Sequence, residues 1–357
     1  MSAKEGTAIA SRLYTPEGWL NVPGILATGL PFIFVVGGRG TGKTFGALKY
    51  AWERSEPGHR FLLLRRTLTQ VEIINKPEYS PFKAICEAAG WQIISRPLSK
   101  YSTGFYAATE AEENVLKASG PVMGYTAALS TFSNMRSQDM SDVDLIIYDE
   151  FIPQPQERPL KDEAGALWNA YETINRNREI QGRPPCQLLC LANANDLGNP
   201  VFMDLGLVRR TEKMREKGTE WWQDTKKGIG LAILQGSPIS SQKRETALYR
   251  LLDDTEYTRM ALSNDFSAEE RSSSGTVPLR ELVPVVRVGE ICIYRMKAGG
   301  FYVSGHASGS PPVYGAGPKE LQRFRSRYFY LWQAFMQKRI TFEEYACEIC
   351  FCNYFNL

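Results

Sequence analysis

Segment 37–44, with the sequence GGRGTGKT, constrains the fold of this chain more than any other feature. It matches the pattern G-x-x-x-x-G-K-[ST], follows the apolar run PFIFVV at 31–36 and opens a helical stretch at 43–54. Glycines let backbone N–H groups close around phosphate oxygens, and the N-terminus of the following helix favours an anion. The order of strand, glycine loop and helix therefore predicts a phosphate-binding loop at the end of a strand buried on both faces.

Further apolar runs indicate that this loop belongs to an α/β domain with a mainly parallel sheet. Helical stretches, notably 43–54 and 162–179, alternate with the runs, as is typical of βαβ units. The region 91–129 breaks the alternation with turn-like glycines and predicts a β-hairpin or small insertion. The mixed charges of 209–227 predict a solvated helix and loop. The other runs expected to form buried strands are 61–64, 145–148, 188–192 and 228–234.

Two junctions rich in Gly, Ser and Pro divide the rest of the chain, one near 236–241 and one at 272–275. We therefore predict a phosphate-binding domain at 1–236, a short helical linker at 237–271 and a small α+β domain at 272–357.

The last of these domains carries the basic excess of the chain. It contains ten Lys and Arg against six Glu, a net charge of +4, whereas the whole chain has +3. Its β patterns at 283–304 precede two helices, one near 319–338 and one whose start is predicted by a capping box at Thr341 and Glu344. Basic and aromatic side chains interleave on the first helix, which either binds nucleic acid through its basic face or is a core helix with a solvated basic face. They are Arg323, Phe324, Arg325, Arg327, Tyr328, Phe329, Tyr330, Trp332, Lys338 and Arg339.

The residue types of the glycine loop predict a nucleoside triphosphate and Mg²⁺ as its ligands. Lys43 supplies a positive charge to the β- and γ-phosphates, and the hydroxyl of Thr44 can bind the metal. Arg39 could touch phosphate or a neighbouring subunit. The residues expected to bind nucleotide are Gly37, Gly38, Arg39, Gly40, Thr41, Gly42, Lys43 and Thr44.

Two adjacent carboxylates, Asp149 and Glu150, follow the apolar run at 145–148. Burying two acids at the end of a strand costs free energy unless they have partners. The alternative interpretation is that the strand ends in a turn with two solvated acids. We expect Asp149 beside the loop as a metal-binding group, and Glu150 as the general base that polarises a water in line with the γ-phosphate. A small-molecule kinase has little use for such a base, so the pair favours hydrolysis.

Three further polar residues could complete the site. Asn193 is the first polar residue after the run at 188–192 and could sense the γ-phosphate, or it could simply form a turn. Arg176 and Arg178 end the helical stretch at 162–179 and could be helix C-terminal cations. Alternatively one of them, with Arg176 preferred, is a finger that enters a neighbouring subunit's site, which requires a ring or filament.

These motifs resemble the DNA packaging (encapsidation) ATPases of small short-tailed phages, whose motors also use a packaging RNA. The glycine loop and the acid pair are shared by many ATPases, whereas the other motifs are more specific. The wider group is the additional-strand, catalytic-glutamate P-loop ATPases related to the FtsK and HerA translocases. The matching segments run from about Phe32 to the C-terminus and include GGRGTGKT at 37–44, IIYDEFI at 146–152, NRNRE at 175–179, LANA at 191–194 and LLDDTEY at 251–257.

The resemblance implies an ATPase that uses ATP and Mg²⁺ and pumps double-stranded DNA into an empty capsid. It implies a homopentameric ring on the portal, or connector, with ATP hydrolysed between subunits. It assigns metal ordering to Asp149, general base to Glu150, the trans finger to Arg176 and the phosphate sensor to Asn193.

The resemblance also implies a ribonuclease H-like C-terminal domain that has lost its catalytic acids and binds nucleic acid or packaging RNA. The sequence agrees, since its β-rich stretch contains only Glu281 and Glu290 as carboxylates, and two-metal nucleases need a cluster of acids. A protein of this family is expected in the host cytoplasm, transiently on the portal vertex of the procapsid, and absent from the mature virion.

Composition excludes several other classes of protein. With 43% hydrophobic and 23% charged residues, the chain is neither disordered nor a coiled coil. No apolar run approaches the roughly 20 residues of a membrane span, and the first positions lack a secretory pattern, so we expect a cytoplasmic protein without a membrane partner. The seven cysteines are expected to be reduced thiols, and Cys347, Cys350 and Cys352 to line an apolar helix face rather than bind zinc.

Two other functions remain compatible with the motifs. One is a different FtsK/HerA-type translocase or helicase, and the other is a nucleotide-gated assembly protein that binds ATP without turnover. Arg65 and Arg66, which follow the run at 61–64, are either loop cations or contacts to DNA in a central pore.

Overall fold

The computed structural model describes residues 13–110, 116–135, 138–154, 157, 160–193, 197–235, 238–252, 255, 258 and 277–356. Its strands are β1 (Phe32–Gly37), β2 (Arg60–Arg65), β3 (Ile93–Pro97), β4 (Ser102–Glu110), β5 (Leu116–Ala128), β6 (Val143–Asp149), β7 (Gln187–Ala192), β8 (Trp221–Asp224), β9 (Ile229–Leu234), β10 (Val283–Val288), β11 (Ile291–Arg295), β12 (Phe301–Ser304), β13 (Val313–Tyr314) and β14 (Ile340–Phe342). Its α-helices in the same ranges are α1 (Val22–Leu26), α2 (Lys43–Arg54), α3 (Leu68–Ile74), α4 (Lys83–Ala89), α5 (Glu163–Asn175), α6 (Pro200–Leu205), α7 (Val208–Glu216), α8 (Pro238–Arg244), α9 (Ala247–Leu251), α10 (Pro318–Arg327), α11 (Phe329–Met336) and α12 (Tyr345–Phe355).

The chain forms two compact units, and the boundary between them is discontinuous in sequence. The first unit is Met1–Ala194 with Thr219–Asp265, and the second is Asn195–Gly218 with Phe266–Leu357. The sequence predicts that 195–218 belong to the first domain. The segment packs instead with the C-terminal elements, where the Glu290 carboxylate accepts hydrogen bonds from the backbone N–H groups of Val208 and Arg209 at the start of α7. Those groups have no partner within the helix, so a carboxylate at this place fixes the segment.

The first unit is built on a nine-stranded sheet in the order β3-β4-β5-β2-β6-β7-β1-β9-β8. In this spatial order, each strand from β5 to β9 runs parallel to the next. At one end of the sheet β3 and β4 pair antiparallel, as β8 does with β9 at the other end. β1, β6, β7 and β9 are buried along almost their whole length, which explains why their sequences are continuous apolar runs. The predicted α/β fold with a mainly parallel sheet is confirmed, and β7 lies between the glycine-loop strand β1 and the acidic strand β6.

The strand register places the predicted site residues at one edge of this sheet. Val36 of β1 pairs with Ala192 of β7, and Asp149 of β6 pairs with Leu191. Because parallel strands end at the same edge, the segments that follow β1, β6 and β7 converge there.

Sequence patterns described two parts of the first unit incompletely, although the antiparallel hairpin predicted within 91–129 is present. The region 91–129 is more than a hairpin, since β5 pairs antiparallel with β4 and also parallel with β2, joining the central sheet. The predicted helix and loop at 209–227 is wrong for Trp221–Asp224, which form the edge strand β8. A four-residue edge strand is too short to give a period-two pattern, and pairing with β9 defines it.

The second unit contains the sheet β13-β10-β11-β12-β14, with an antiparallel meander of β10, β11 and β12 and parallel pairings at both edges. This confirms a small α+β domain, whereas its ribonuclease H-like assignment stays a prediction. The single helix predicted near 319–338 is two helices, α10 and α11, which meet at Tyr328. The capping-box prediction was wrong, because Thr341 lies in β14 and α12 begins only after Glu344.

None of the helices in the described ranges is long and apolar enough to cross a bilayer. The seven cysteines, all of which lie in described ranges, form no disulfide. Cys347 and Cys350 are fully buried on α12, as the apolar-face interpretation predicts, whereas Cys352 is only half-buried.

Candidate functional site

The glycine loop between β1 and α2 has a backbone conformation that side chains would oppose. Gly40 and Gly42 have φ angles of +70° and +82°, and Gly42 is the N-cap of α2. L-residues rarely adopt this conformation, which explains the glycines at these positions. The loop therefore directs the N-terminus of α2, with its free N–H groups and positive dipole end, towards the edge of the sheet where an anion can bind.

Lys43, the first residue of α2, lies inside the loop. Its ammonium donates hydrogen bonds to the carbonyl oxygens of Gly37 (2.9 Å) and Gly38 (2.7 Å), and to Oδ1 of Asn193 (3.2 Å). Burial lowers the pKa of Lys43 to about 8, although the negative charge of Asp149 acts in the opposite direction. The structure thus brings Lys43 and Asn193 together, as a phosphate sensor at Asn193 requires. The neighbouring Asn195 lies outside the described residues.

Asp149 ends β6 beside the first turn of α2. The Thr44 hydroxyl donates to both of its carboxylate oxygens, at 3.0 and 3.1 Å. A hydroxyl and a carboxylate at this spacing are the oxygen donors that Mg²⁺ prefers, so the residues present fit the metal that the sequence implies.

Glu150 follows in a left-handed turn, with φ +59°, that directs its side chain away from the strand. Arg65, at the end of the neighbouring strand β2, contacts Oδ2 of Asp149 and Oε2 of Glu150, each at 3.2 Å. Burial raises the pKa of Glu150, and the charge of Asp149 adds to the rise while Arg65 opposes it. A raised pKa makes the carboxylate a stronger base, which suits proton abstraction from water.

Neither interpretation of Arg65 and Arg66 from the sequence fits the structure. Arg65 is only 13% exposed and binds the acid pair. Arg66 is 1% exposed and forms a bidentate pair with Glu163 (2.8 and 2.9 Å), to which Tyr148 also donates at 2.7 Å. Arg65 therefore supports the site from within, whereas Arg66 joins the segment after β2 to the start of α5, and neither is a loop cation or a DNA contact.

Two adjoining cavities meet at the loop. The smaller, of about 270 Å³, is lined by loop residues together with Asp149, Glu150 and Asn193. The larger, of about 740 Å³, extends from Gly40 and Gly42 to the aromatic rings of Trp19, Phe45 and Tyr50. A small polar pocket for phosphates beside a larger, more apolar pocket is complementary to a nucleotide in shape and chemistry. Sequence reasoning missed Trp19, because it lies in an N-terminal segment that carries no motif.

The two candidate finger arginines have different environments. Arg178 is 4% exposed and donates to the backbone carbonyl oxygens of Val143 (2.7 Å), Ser141 and Pro184 (3.3 Å each). It is therefore a structural cation. Arg176 is exposed and has a positive φ of +45° at the end of α5, and its guanidinium donates to the Thr173 carbonyl at 3.1 Å. Of the two, Arg176 alone could reach another molecule.

The basic and aromatic side chains of α10 and α11 divide into buried and exposed groups. Phe324 and Tyr328 belong to the core of the second unit. Arg325 binds the carbonyl of Tyr354 at 2.6 Å. Phe329 is 52% exposed and stacks on Trp332 with ring centroids 5.1 Å apart, so part of the group is available at the surface.

In the described part of the second unit, one group of side chains has the spacing of metal ligands, but its acids are bound by other residues of the chain. Glu343, Glu344 and Cys347 lie within 4.8 Å of one another. Glu344, however, pairs with Arg209, and Glu343 accepts hydrogen bonds from Ser304 at 2.7 Å and Gly305 at 3.0 Å.

Comparison of the sequence with known proteins confirms the resemblance to DNA packaging proteins. A sequence profile described as Podovirus DNA encapsidation protein (Gp16) matches residues 112–274. The DNA packaging protein of Bacillus phage phi29 is 28% identical over 263 residues, covering 73% of this chain and 68% of the phi29 protein. That of Bacillus phage PZA is 28% identical over 258 residues, covering 72% of this chain and 66% of its own.

Solved structures of packaging motors share the fold. The bacteriophage Phi-29 viral genome packaging motor assembly contains a chain that matches with a TM-score of 0.60 and 20% identity, over 95% of this chain and 99% of that one. The Phi-28 gp11 DNA packaging motor matches with a TM-score of 0.60 and 18% identity, over 96% and 99%. At these identities the likeness establishes the fold alone.

Proposed function

We propose that this chain hydrolyses ATP with Mg²⁺ and uses the reaction to move double-stranded DNA into an empty phage capsid. The names of the sequence relatives support the packaging role. One observation supports the chemistry above all: Lys43 contacts Asn193 at 3.2 Å and Thr44 contacts Asp149 at 3.0 Å, so three chain segments converge on one phosphate-sized pocket.

In the proposed reaction each residue has a separate task. The loop N–H groups and Lys43 bind the phosphates of ATP, and Thr44 and Asp149 would hold Mg²⁺, which supplies positive charge to the phosphate oxygens. Glu150 takes a proton from the attacking water. The water oxygen then bonds to the γ-phosphorus, the bond to the bridging oxygen breaks, and ADP and phosphate leave. When ATP binds, Asn193 releases Lys43 and contacts the γ-phosphate instead, so its position depends on whether that phosphate is present.

Arg176 is proposed to act on a neighbouring subunit. Arg178, two residues away, is anchored to Val143 at the start of β6, whereas Asp149 ends the same strand. Seven residues of strand span roughly 20 Å, so Arg176 lies at the edge opposite its own pocket. A finger at this position can complete a site only in the next subunit, which supports a closed ring with ATP between subunits.

We further propose a pentameric ring that contacts the portal, double-stranded DNA and a packaging RNA, located in the host cytoplasm and transiently on the procapsid. In this proposal the first unit hydrolyses ATP, and the second unit binds nucleic acid without sequence preference. The exposed ring of Phe329, which stacks on Trp332 and follows the basic helix α10 in the chain, supports that last role.

The main competing function is a translocase or helicase of the same ATPase group that acts outside packaging. ATP hydrolysis stimulated by DNA should be measured with DNA alone, and with DNA, empty capsids and packaging RNA together. A packaging motor is expected to reach its full rate only with the complete set. Full stimulation by DNA alone would favour the competing translocase.

The pH dependence of ATP binding should reflect Lys43. Its lowered pKa of about 8 means that the ammonium loses its proton as pH rises from 7 to 9, and phosphate binding favours the charged form. We expect the Kd for ATP to rise about tenfold over this range. Titration with a fluorescent ATP analogue would measure it. The Lys43→Arg variant, which keeps its charge, should show a flat profile, and an equally flat wild-type profile would contradict the lowered pKa.

A further inference from the structure

A second lysine reaches the glycine loop from a distant part of the first unit. Lys243 lies on α8, the first helix after β9, and its ammonium donates to the Arg39 carbonyl at 2.8 Å. A Cβ atom on Gly40 would stand 1.8 Å from this ammonium, so the missing side chain at Gly40 leaves the space that Lys243 occupies. The P-loop motif does not predict this contact.

Two ammonium groups therefore bind consecutive carbonyls of one loop. Lys43 binds those of Gly37 and Gly38, and Lys243 binds that of Arg39. The charge of Lys243 contributes to the lowered pKa of Lys43, and burial also lowers the pKa of Lys243. Within the described ranges no carboxylate forms an ion pair with Lys243. The two ammonium groups repel each other, and an anion bound between them reduces that cost.

We propose that Lys243 is a second phosphate-binding lysine, which exchanges the Arg39 carbonyl for a phosphate oxygen of bound ATP. The inference rests on the proposed ATP site and adds a residue to it. It also connects nucleotide binding to α8, because Lys243 is next to the last residue of that helix. Binding of a triphosphate would then order the segment that follows the sheet, and adenosine alone would not.

The Lys243→Met variant tests this assignment, with Lys226→Met as the matched control because Lys226 is exposed in the turn between β8 and β9. Calorimetric titration should give a Kd for ATP about tenfold higher for Lys243→Met, the loss expected for one charge-assisted contact, with no change for Lys226→Met. Adenosine affinity should be equal in all three proteins, and Lys243→Arg should restore most of the ATP affinity. ATP binding by Lys243→Met within twofold of wild type would overturn the proposal and leave Lys243 as a brace for the loop.

A measurement on the wild-type chain provides a test that does not depend on the folding of a variant. ATP should slow hydrogen exchange of the backbone amides in 238–244, and adenosine should not. If the protein binds ATP but exchanges these amides equally with and without it, only the proposed role of Lys243 is overturned. A wild-type chain that does not bind ATP at all would overturn the proposed function and this inference together.

Discussion

ATP hydrolysis by the Glu150→Gln variant is expected to fall by roughly 10²–10⁴-fold, while its ATP affinity stays within a few-fold of wild type. Glutamine has nearly the same shape and can still accept the hydrogen bond from Arg65, which lies 3.2 Å from the Glu150 carboxylate. It cannot take a proton from water. The loss should therefore appear in kcat and not in nucleotide binding, which steady-state phosphate release and titration would separate.

Glu172→Gln is the matched control, because Glu172 is exposed on α5. This variant should hydrolyse ATP at the wild-type rate. Substantial turnover by Glu150→Gln would show that the base is elsewhere. A wild-type chain that binds ATP but never hydrolyses it, even with DNA and capsids, would instead support the nucleotide-gated assembly protein.

Replacing Arg176 by alanine is expected to reduce hydrolysis in the assembled ring by about 10³–10⁵-fold, the usual contribution of an arginine finger. ATP binding by the isolated subunit should not change, since Arg176 is exposed and lies at the edge of the sheet opposite the loop. Arg183→Ala is a suitable control, because Arg183 is another exposed arginine shortly after α5.

Mixed rings would show whether Arg176 acts in trans. Rings of Arg176→Ala alone and of Glu150→Gln alone should both be inactive. When the two variants assemble together in equal amounts, about a quarter of the interfaces combine an intact Glu150 with a neighbour's intact Arg176. Hydrolysis should then return in the mixture. If the mixture remains as inactive as its components, Arg176 does not complete the site of a neighbour.

The central residues of the site could be predicted because they lie in short sequence motifs. The helix expected at 43–54 is α2, with the same bounds, and the apolar runs expected to be buried strands are β1, β2, β6, β7 and β9. Once these strands are parallel, their carboxyl ends must share an edge. The contacts of Lys43 with Asn193 and of Thr44 with Asp149 follow from that topology.

The residues that sequence reasoning missed are defined by contacts across the fold. Arg66 pairs with Glu163, 97 positions away, and Lys243 reaches Arg39 across 204 positions. Nothing near these residues in the sequence distinguishes them from surface cations. Charge patterns alone therefore could not predict that Arg65 serves the site or that Arg66 and Arg178 are buried.

Errors in secondary structure had the same origin. Thr341 and Glu344 have the spacing of a capping box, but Thr341 is paired in β14 with Tyr302 of β12. The helical pattern near 319–338 continues through Tyr328, whose ring packs against Phe324 and Tyr314 at the end of α10. In both places packing within the second unit overrides a correct local signal.

The most direct test of the central claim is ATP binding and hydrolysis by the wild-type chain assembled with empty capsids, packaging RNA and DNA, with and without Mg²⁺. We expect the assembled chain to retain ATP and to release phosphate only when Mg²⁺ is present. A chain that neither retains nor cleaves ATP under these conditions would contradict the proposed function.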